Sequence, residues 1–596
     1  MRVLVVEDSK STRLLITSRL AKEGHEVDSA ENGRQGFLMA TSNQYDVLIS
    51  DIYMPEWDGF KFISAMRVVS PHLPIIVVSS SHEENVLRER FNEFENIVEI
   101  LPKPVDFNTL FDILKTIKVQ THNAVRKMAR IVCTIGPASD SPEMLGEMIV
   151  AGMDVARLNF SHGWHEQHEK TLNSIRKAEQ EWGKPIAVML DLCGPKIRTG
   201  KMPEGGIVLK KGQCITVQAD PVEGNRERFS TIMPEIIQDL HVGDQVLIDD
   251  GLIELKVVKE GEREAECMVV VGGVLKSNKG MNLPVTKLSI PSVTEKDRKD
   301  LEWGLNHSVD YVALSFVRSP EEILEIKEII YQSAKRSRGV KVVAKIEKPE
   351  AVEHIQDIID VADVIMIARG DMGVELPAAK VPRIQQEIIR MCWESNTPVI
   401  TATQMLDSMT RNTRPTRAEV TDVSVAVRSG TDAVMLSGET AVGVDPLNVV
   451  RTMASIICEE EQYATVNERQ HQQFSHDLKT NPAIMAAASL IKSAATMLID
   501  RSGKLYPQMS KWNRRVPSLL VTRSLHVARQ SSMYKNIVPI IIGDNLTRDE
   551  MVFQAMARAK EWGYLRAGDL LVVVEGGRLT QGDIPQLGAF QLVHVE

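Results

Sequence analysis

At several points in this 596-residue chain, a short apolar run leads directly into side chains that can do chemistry. Near the start Val5-Val6 runs into Glu7-Asp8, a later run ends at Asp51, and two more end at Ser79 and at Lys103-Pro104. Three carboxylates converging at strand ends suit Mg²⁺, a hard cation that takes oxygen ligands and keeps several waters. A carboxylate beside such a cation can attack phosphorus, and a lysine and a hydroxyl can receive the phosphoryl oxygens. A second, larger set follows: Arg157-Leu-Asn159-Phe-Ser161-His162, Asp191 with Lys196 and Arg198, Lys345-Ile-Glu347, Arg369-Gly370-Asp371, Thr401-Ala-Thr403 and Ser437-Gly-Glu439-Thr440. Alternation along a strand puts Arg157, Asn159 and Ser161 on one side, and Lys345 with Glu347 likewise. An arginine, an amide and a hydroxyl together can hold phosphate and a cation. Glu347 and Asp371 are the pair best suited to Mg²⁺, because a transferred phosphoryl group needs its charge neutralised. Lys345 would stabilise equatorial phosphoryl oxygens or a developing enolate. Any one of these motifs is most simply a cap or a packing side chain; six at one end of one set of strands call for a site.

Such convergence requires parallel strands whose C-terminal ends share one face. In residues 1–120 the runs Val3–Val6, Asp46–Ser50, Ile75–Ser79 and Val98–Leu101 read as buried parallel strands. They alternate with the amphipathic stretches Ser11–Lys22, Gly33–Ser42, Gly59–Val69 and Glu84–Phe94, a βα repeat that predicts a doubly wound, flavodoxin-like α/β domain. The polar segment 119–126 reads as a linker. Eight further strands, Arg130–Ile135, Val155–Phe160, Ile186–Leu192, Tyr311–Phe316, Lys341–Glu347, Val364–Gly370, Val399–Thr403 and Ala433–Ser437, predict a (β/α)₈ TIM barrel over 128–196 and 284–456. The intervening 197–283, rich in Val, Ile and Gly, reads as an inserted small β-barrel, and 457–596 as a C-terminal α/β domain.

Composition bounds the function. The net charge of −10 argues against nucleic acid or an anionic membrane as the main partner. Half of that charge lies in the first 120 residues, which hold 13 basic and 18 acidic side chains. Six scattered cysteines fit a reducing cytoplasm rather than a disulfide or zinc framework. The N-terminus meets acids after four apolar residues, too soon for a signal-peptide core. No apolar run approaches the roughly 20 residues that span a bilayer.

Two family resemblances rest on these residues. Val5–Ser9, Asp51-Ile-Tyr-Met-Pro-Glu-Trp-Asp-Gly59, Ile75–Ser79 and Lys103-Pro104 resemble a response-regulator receiver domain across residues 1–118. The resemblance implies Asp51 as phosphoacceptor, Glu7 and Asp8 as helpers in holding Mg²⁺, and Ser79 and Lys103 as the residues that sense the phosphoryl group. It also implies a sensor histidine kinase or phosphotransfer protein as partner. Where the family carries a switch aromatic, this chain has Ile100.

Cys133-Thr-Ile-Gly-Pro-Ala-Ser139, Ala156–Gly163, Lys345–Glu347, Ala368–Glu375, Thr401–Met409 and Met435–Thr440 are similar to pyruvate kinase, over about residues 128–596. That resemblance implies the glycolytic transfer of a phosphoryl group from phosphoenolpyruvate to ADP, giving pyruvate and ATP, in a homotetramer. It implies substrate binding by Arg157, Lys345, Gly370, Asp371 and Thr403, with Lys345 stabilising the transition state. Mg²⁺ (or Mn²⁺) goes to Glu347 and Asp371, and the nucleotide to Asn159, Phe160, Ser161, His162, Arg198 and Lys279. Ser437 and Thr403 are candidates for delivering the proton. The family's monovalent-cation site maps to Asn159, Ser161, Asp191 and the Leu192 carbonyl, but Lys196 stands where potassium-dependent members carry glutamate. An ammonium there can replace the charge of K⁺, so K⁺ is expected to be dispensable. In the loop Ile499–Leu505, Asp500 and Leu505 replace hydroxyls that bind an effector phosphate in sugar-phosphate-activated relatives, which argues against fructose-1,6-bisphosphate as activator. Two other readings are a barrel that only binds and reports metabolites, and an aldolase or lyase acting on related substrates. The full set of Lys345, Glu347, Asp371 and Thr403 weighs against the first, and the inserted domain with its nucleotide-side residues against the second.

Overall fold

In the computed structural model the chain is described over residues 1–43, 45–70, 73–80, 84–91, 94, 96–117, 127–284, 286–333, 339–467, 493–500, 503–510, 516–562, 564–579 and 585–595. The expected linker at 119–126 lies outside these residues. The first domain alternates β1 (Arg2–Val6), α1 (Lys10–Lys22), β2 (Glu26–Ala30), α2 (Gly33–Ser42), β3 (Val47–Asp51), α3 (Gly59–Val69), β4 (Ile75–Ser80), α4 (Glu84–Arg90), β5 (Ile97–Lys103) and α5 (Phe107–Thr116). Its sheet order is β2-β1-β3-β4-β5, all parallel. Ser9, Asn32, Asp58 and Asp106 each start a helix by accepting a backbone N–H, satisfying donors that the first turn leaves unpaired. Sequence reading passed over β2 because it is an edge strand, Glu-Val-Asp-Ser-Ala, in which only Ala30 is buried. Likewise α4 stops at Arg90 rather than Phe94.

The second domain opens with β6 (Arg130–Thr134), β7 (Val155–Asn159) and β8 (Ala187–Asp191). There follow β9 (Ile207–Val208), β10 (Cys214–Gln218), β11 (Arg228–Ser230), β12 (Gln245–Ile248), β13 (Ile253–Lys259), β14 (Glu264–Val271), β15 (Val274–Leu275) and β16 (Met281–Asn282). This inserted domain consists of a six-stranded sheet, β11-β10-β14-β13-β12-β16, and a two-stranded one, β15-β9, around one apolar core. The chain then returns as β17 (Tyr311–Leu314), β18 (Lys341–Ile346), β19 (Val364–Ala368), β20 (Val399–Ala402) and β21 (Ala433–Leu436). These close with β6, β7 and β8 into an eight-stranded barrel. The sixth barrel strand ends at Ala368, two residues earlier than expected, because Arg369–Glu375 turns into a helix.

The C-terminal domain has strands β22 (Ala495–Ile499), β23 (Ser518–Thr522), β24 (Ile537–Ile541), β25 (Leu570–Leu579) and β26 (Pro585–His594), ordered β24-β23-β22-β25-β26 with the last pair antiparallel. It caps the N-terminal end of the barrel, where the barrel's interior side chains and Leu498, Tyr506 and Tyr534 form one apolar cluster. Tyr311 OH donates to the Gln530 carbonyl at 2.5 Å. Lys341 Nζ donates to Tyr506 OH and Tyr534 OH at 2.8 and 3.1 Å, and burial pulls its ammonium down to about 8. At the same end of the barrel, buried Asp154 pairs with Lys127, Arg130 and Lys184 and accepts the Ile131 N–H. Among the described residues no helix is long and apolar enough to cross a membrane.

Candidate functional site

Polar side chains collect at the opposite end of the barrel, where the strands terminate. The Lys345 Nζ lies 2.7 Å from Ser315 Oγ, 3.0 Å from Glu347 Oε1 and 3.4 Å from Asp191 Oδ1. Burial pushes its ammonium down, but Asp191 and Glu347 together outweigh that and hold it above the ordinary lysine range. Arg157 reaches the same acid from β7, donating from Nε to Asp191 Oδ2 at 2.6 Å and from Nη1 to Thr134 Oγ1 at 2.8 Å. Burial would raise the Asp191 carboxyl; the Lys345 and Arg157 cations override it and keep it low.

Glu347 is 1% exposed and accepts the Phe316 N–H at Oε2, 2.8 Å. Burial is the main reason its carboxyl is pushed up to about 7; Lys345 opposes the shift and the Asp371 charge adds to it. Two facing carboxylates, one of them buried and reluctant to ionise, gain from a hard divalent cation between them. The donor set therefore fits Mg²⁺.

Arg369 organises the neighbouring loop. It is buried, donates to the Thr403 carbonyl at 2.8 Å and is oriented by Asp422 at 2.7 Å. Thr403 and Gln404 have φ of 67° and 55°, a backbone region that non-glycine residues adopt at a cost. In that conformation Thr403 Oγ1 accepts the Gly370 N–H at 2.7 Å. Ser437 Oγ is shielded from solvent and has no hydrogen-bond partner among the described residues.

Toward the inserted domain a cleft of about 270 Å³ is lined by Lys196, Arg198, Asn278, Phe316, Lys348 and Asp371, among others. Its wall is tied together by Glu375, which accepts from Lys348 Nζ of the barrel and Asn282 Nδ2 of the insertion, both at 2.8 Å. His162 sits nearby; burial and then the charges of Lys196, Arg198 and Arg157 lower its pKa. Lys279 Nζ is paired with Asp249 at 2.8 Å. At the expected monovalent-cation position, the Asn159 amide oxygen accepts the Ser161 N–H at 3.1 Å and the Leu192 carbonyl accepts Ser315 Oγ at 2.7 Å.

Phe160 lies between Asn159 and Ser161 in the same segment. Its ring is buried and stacked on His168 at 4.0 Å, its N–H donates to the Asp191 carbonyl, and its own carbonyl accepts Lys296 Nζ. Its ring also lies 5.2 Å from that of Trp303. Ser315 and Phe316 also touch the Lys345–Glu347 pair although no expectation named them as site residues. For Ser315 and Phe316 the available signal was a hydroxyl at the end of a barrel strand.

In the first domain Glu7, Asp8 and Asp51 bring carboxylate oxygens within 4.8 Å of one another. Lys103 Nζ bridges Asp51 Oδ2 at 2.7 Å and Glu7 Oε2 at 2.8 Å. Burial is the chief reason the Glu7 carboxyl is raised. Three oxygen donors, one of them exposed, suit Mg²⁺ with its waters. Ser79 is buried at the end of β4. In the C-terminal domain Asp500 Oδ1 accepts the Gly503 N–H, and Oδ2 accepts those of Leu505 and Tyr506, at 2.8–2.9 Å. Ser502, in the same loop, lies outside the described residues.

Residues 126–450 match the family profile described as "Pyruvate kinase, barrel domain", residues 480–584 "Pyruvate kinase, alpha/beta domain", and residues 3–115 "Response regulator receiver domain". Among curated proteins, the pyruvate kinases of Staphylococcus aureus strains USA300 and COL are each 42% identical over 457 residues, covering 76% of this chain and 78% of theirs. Among solved structures, a pyruvate kinase from Cryptosporidium parvum aligns with a TM-score of 0.71 and 33% identity, over 78% of this chain and 96% of that one.

Proposed function

The chain belongs to the pyruvate kinase family and carries a response-regulator receiver domain at its N-terminus; on that premise we propose how its residues divide the reaction and that phosphorylation of Asp51 modulates it. The enzyme moves the phosphoryl group of phosphoenolpyruvate to ADP. A terminal ADP oxygen bonds to phosphorus, the bond from phosphorus to the enol oxygen breaks with its electron pair staying on that oxygen, and the enolate carbon then takes a proton to give pyruvate.

The reading rests above all on the Lys345 ammonium, fixed by Ser315, Glu347 and Asp191 at the open end of the barrel. Preorganised there, it stabilises charge on the phosphoryl oxygens and the enolate without having to reorganise. Arg157, held by Asp191 and Thr134, grips the phosphoryl group beside it, and the Gly370–Thr403 pair seats the carboxylate end of the substrate. Glu347 and Asp371 would hold Mg²⁺ or Mn²⁺, which neutralises phosphoryl charge when bound. Asn159, Phe160, Ser161, His162, Arg198 and Lys279 serve the nucleotide. The Ser437 hydroxyl, which has no partner among the described residues, and Thr403 are the candidates for handing on the proton. A coupled assay for pyruvate from phosphoenolpyruvate and ADP tests the reaction.

Lys196 lies close enough to His162 for its charge to act on that imidazole. It substitutes for a monovalent cation at Asn159, Ser161, Asp191 and the Leu192 carbonyl. The rate should survive replacement of K⁺ by a tetraalkylammonium ion; a tenfold or greater loss would refute this.

In the receiver, an Asp51 carboxylate oxygen attacks the phosphorus of an acyl-phosphate or phosphohistidine donor, and the donor's P–O or P–N bond breaks with its electron pair leaving on the donor. Glu7 and Asp8 would help to hold the accompanying Mg²⁺, and Lys103 and Ser79 would receive the phosphoryl oxygens. The donor in the cell is a histidine kinase or phosphotransfer protein, and family likeness supports a homotetramer. Comparing rates before and after acetyl phosphate, with Asp51→Asn as control, tests the modulation; equal rates throughout would end it.

A further inference from the structure

We propose that the receiver is wired to the nucleotide side of the active site through the barrel helix His165–Trp182, an inference that rests on the modulation by Asp51 and names its route. The β3–α3 loop begins at the phosphoacceptor: the Ile52 N–H donates to Asp51 Oδ1 at 2.6 Å, and the Ile52 carbonyl accepts the Gly59 N–H at 2.7 Å. Near the loop's end Trp57 is only 4% exposed, and what covers it includes the enzyme. Its ring meets Trp182 edge-on at 4.8 Å. Lys61, in the first turn of α3, places its ammonium 5.0 Å from the Trp57 ring centre and 4.5 Å from that of Trp182. The same ammonium donates to the Glu181 carbonyl at 3.1 Å, and Arg34 donates to the Gly183 carbonyl at 3.1 Å. All of these contacts fall on the C-terminal end of one helix.

The opposite part of that helix touches the nucleotide-side loop. His168 Nε2 is hydrogen-bonded to the His162 carbonyl at 2.9 Å, and its ring is stacked on Phe160. His168 and Trp182 are about 20 Å apart at 1.5 Å per residue, within one uninterrupted helix. One turn from the clasp, Glu179 pairs with Arg529 of the C-terminal domain at 2.8 Å, so that domain bears on the same lever. When a phosphoryl group bonds to one Asp51 oxygen, the charged carboxylate that the Ile52 N–H and Lys103 now hold becomes a neutral acyl group, with one carbonyl oxygen and one oxygen bound to phosphorus. The loop must re-form its bonds, Trp57 and Lys61 shift against Trp182, and the helix carries the shift to His168 and His162. Regulation therefore appears in ADP binding before it appears in phosphoenolpyruvate binding.

The test uses the full-length enzyme, with acetyl phosphate and Mg²⁺ as probe and the Asp51 phosphorylation stoichiometry measured. In the wild type, phosphorylation should change KM for ADP about fivefold or more, shift KM for phosphoenolpyruvate less, and alter amide exchange across 165–183. Lys61→Met should keep the unphosphorylated kinetics and the stoichiometry but lose most of that response; Lys61→Arg should retain it. A wild-type response that Lys61→Met leaves intact, that falls on phosphoenolpyruvate alone, or that leaves exchange at 165–183 unchanged overturns the route while modulation stands. A wild type that is phosphorylated and shows no kinetic response overturns the modulation, and the route with it.

Discussion

Lys345 is held by three side-chain oxygens before any substrate arrives. Removing its charge strips a counter-charge from two buried acids as well as from the transition state. Lys345→Met should therefore lower kcat by about 10³-fold while circular dichroism shows an intact fold. Asp154, at the other end of the barrel, carries stability instead. Burial would raise its carboxyl, but Lys127, Lys184 and Arg130 override that and hold it well below the usual range. A carboxyl depressed on folding stabilises above its unfolded value near about 3.9 and loses that contribution as pH falls through the folded value. Asp154→Asn should cost about 3–5 kcal/mol at pH 7, and the gap from wild type should narrow below about pH 4 in denaturant titrations. At this scale one juxtaposition was readable: strand alternation alone put Lys345 beside Glu347. Ser315 was not, because one hydroxyl after an apolar run looks like any strand end until the barrel closes around it.

Elements set how tightly these groups are held. Trp182 ends the barrel helix that meets the receiver, and its indole fits only because Gly146 lacks a side chain: a Cβ there would lie 2.3 Å from Nε1. Gly146→Ala should destabilise the protein by about 1–3 kcal/mol, lowering the thermal midpoint and red-shifting tryptophan emission as the clasp loosens. In the C-terminal domain, Asp500 already occupies the N–H groups of Gly503, Leu505 and Tyr506, so a phosphate there would compete with an internal carboxylate. Fructose-1,6-bisphosphate titrated against the initial rate should leave it unchanged. The barrel strands were legible because buried parallel strands are continuous apolar runs. The edge strand β2 was not, since its polar face carries no such run.

Across the whole molecule, the enzyme's active site opens at one end of the barrel and the C-terminal domain seals the other, while the receiver packs on the flank. Its α3 residues Ala65 and Val68 join the same apolar cluster as the barrel's helices. Aromatic and cation–π contacts such as the Trp57–Lys61–Trp182 clasp contribute about 0.5–1.5 kcal/mol each, enough to bias a docked domain without locking it. The sequence by itself determined the eight barrel strands and that Asp51, Lys345, Glu347, Asp371 and Thr403 stand at or just beyond strand ends. Those features are local: each is written in a run of residues short enough for periodicity and strand alternation to expose. Only the tertiary structure decided that Phe160 stacks on His168, that Asp500 fills its own loop, and that the Asp51 loop ends against Trp182. These depend on which surfaces meet once helices and distant domains pack together, or on which donors a fold leaves in reach of one carboxylate. Pairings of that kind arise from closure and packing in space, and they leave no spacing along the chain to be read.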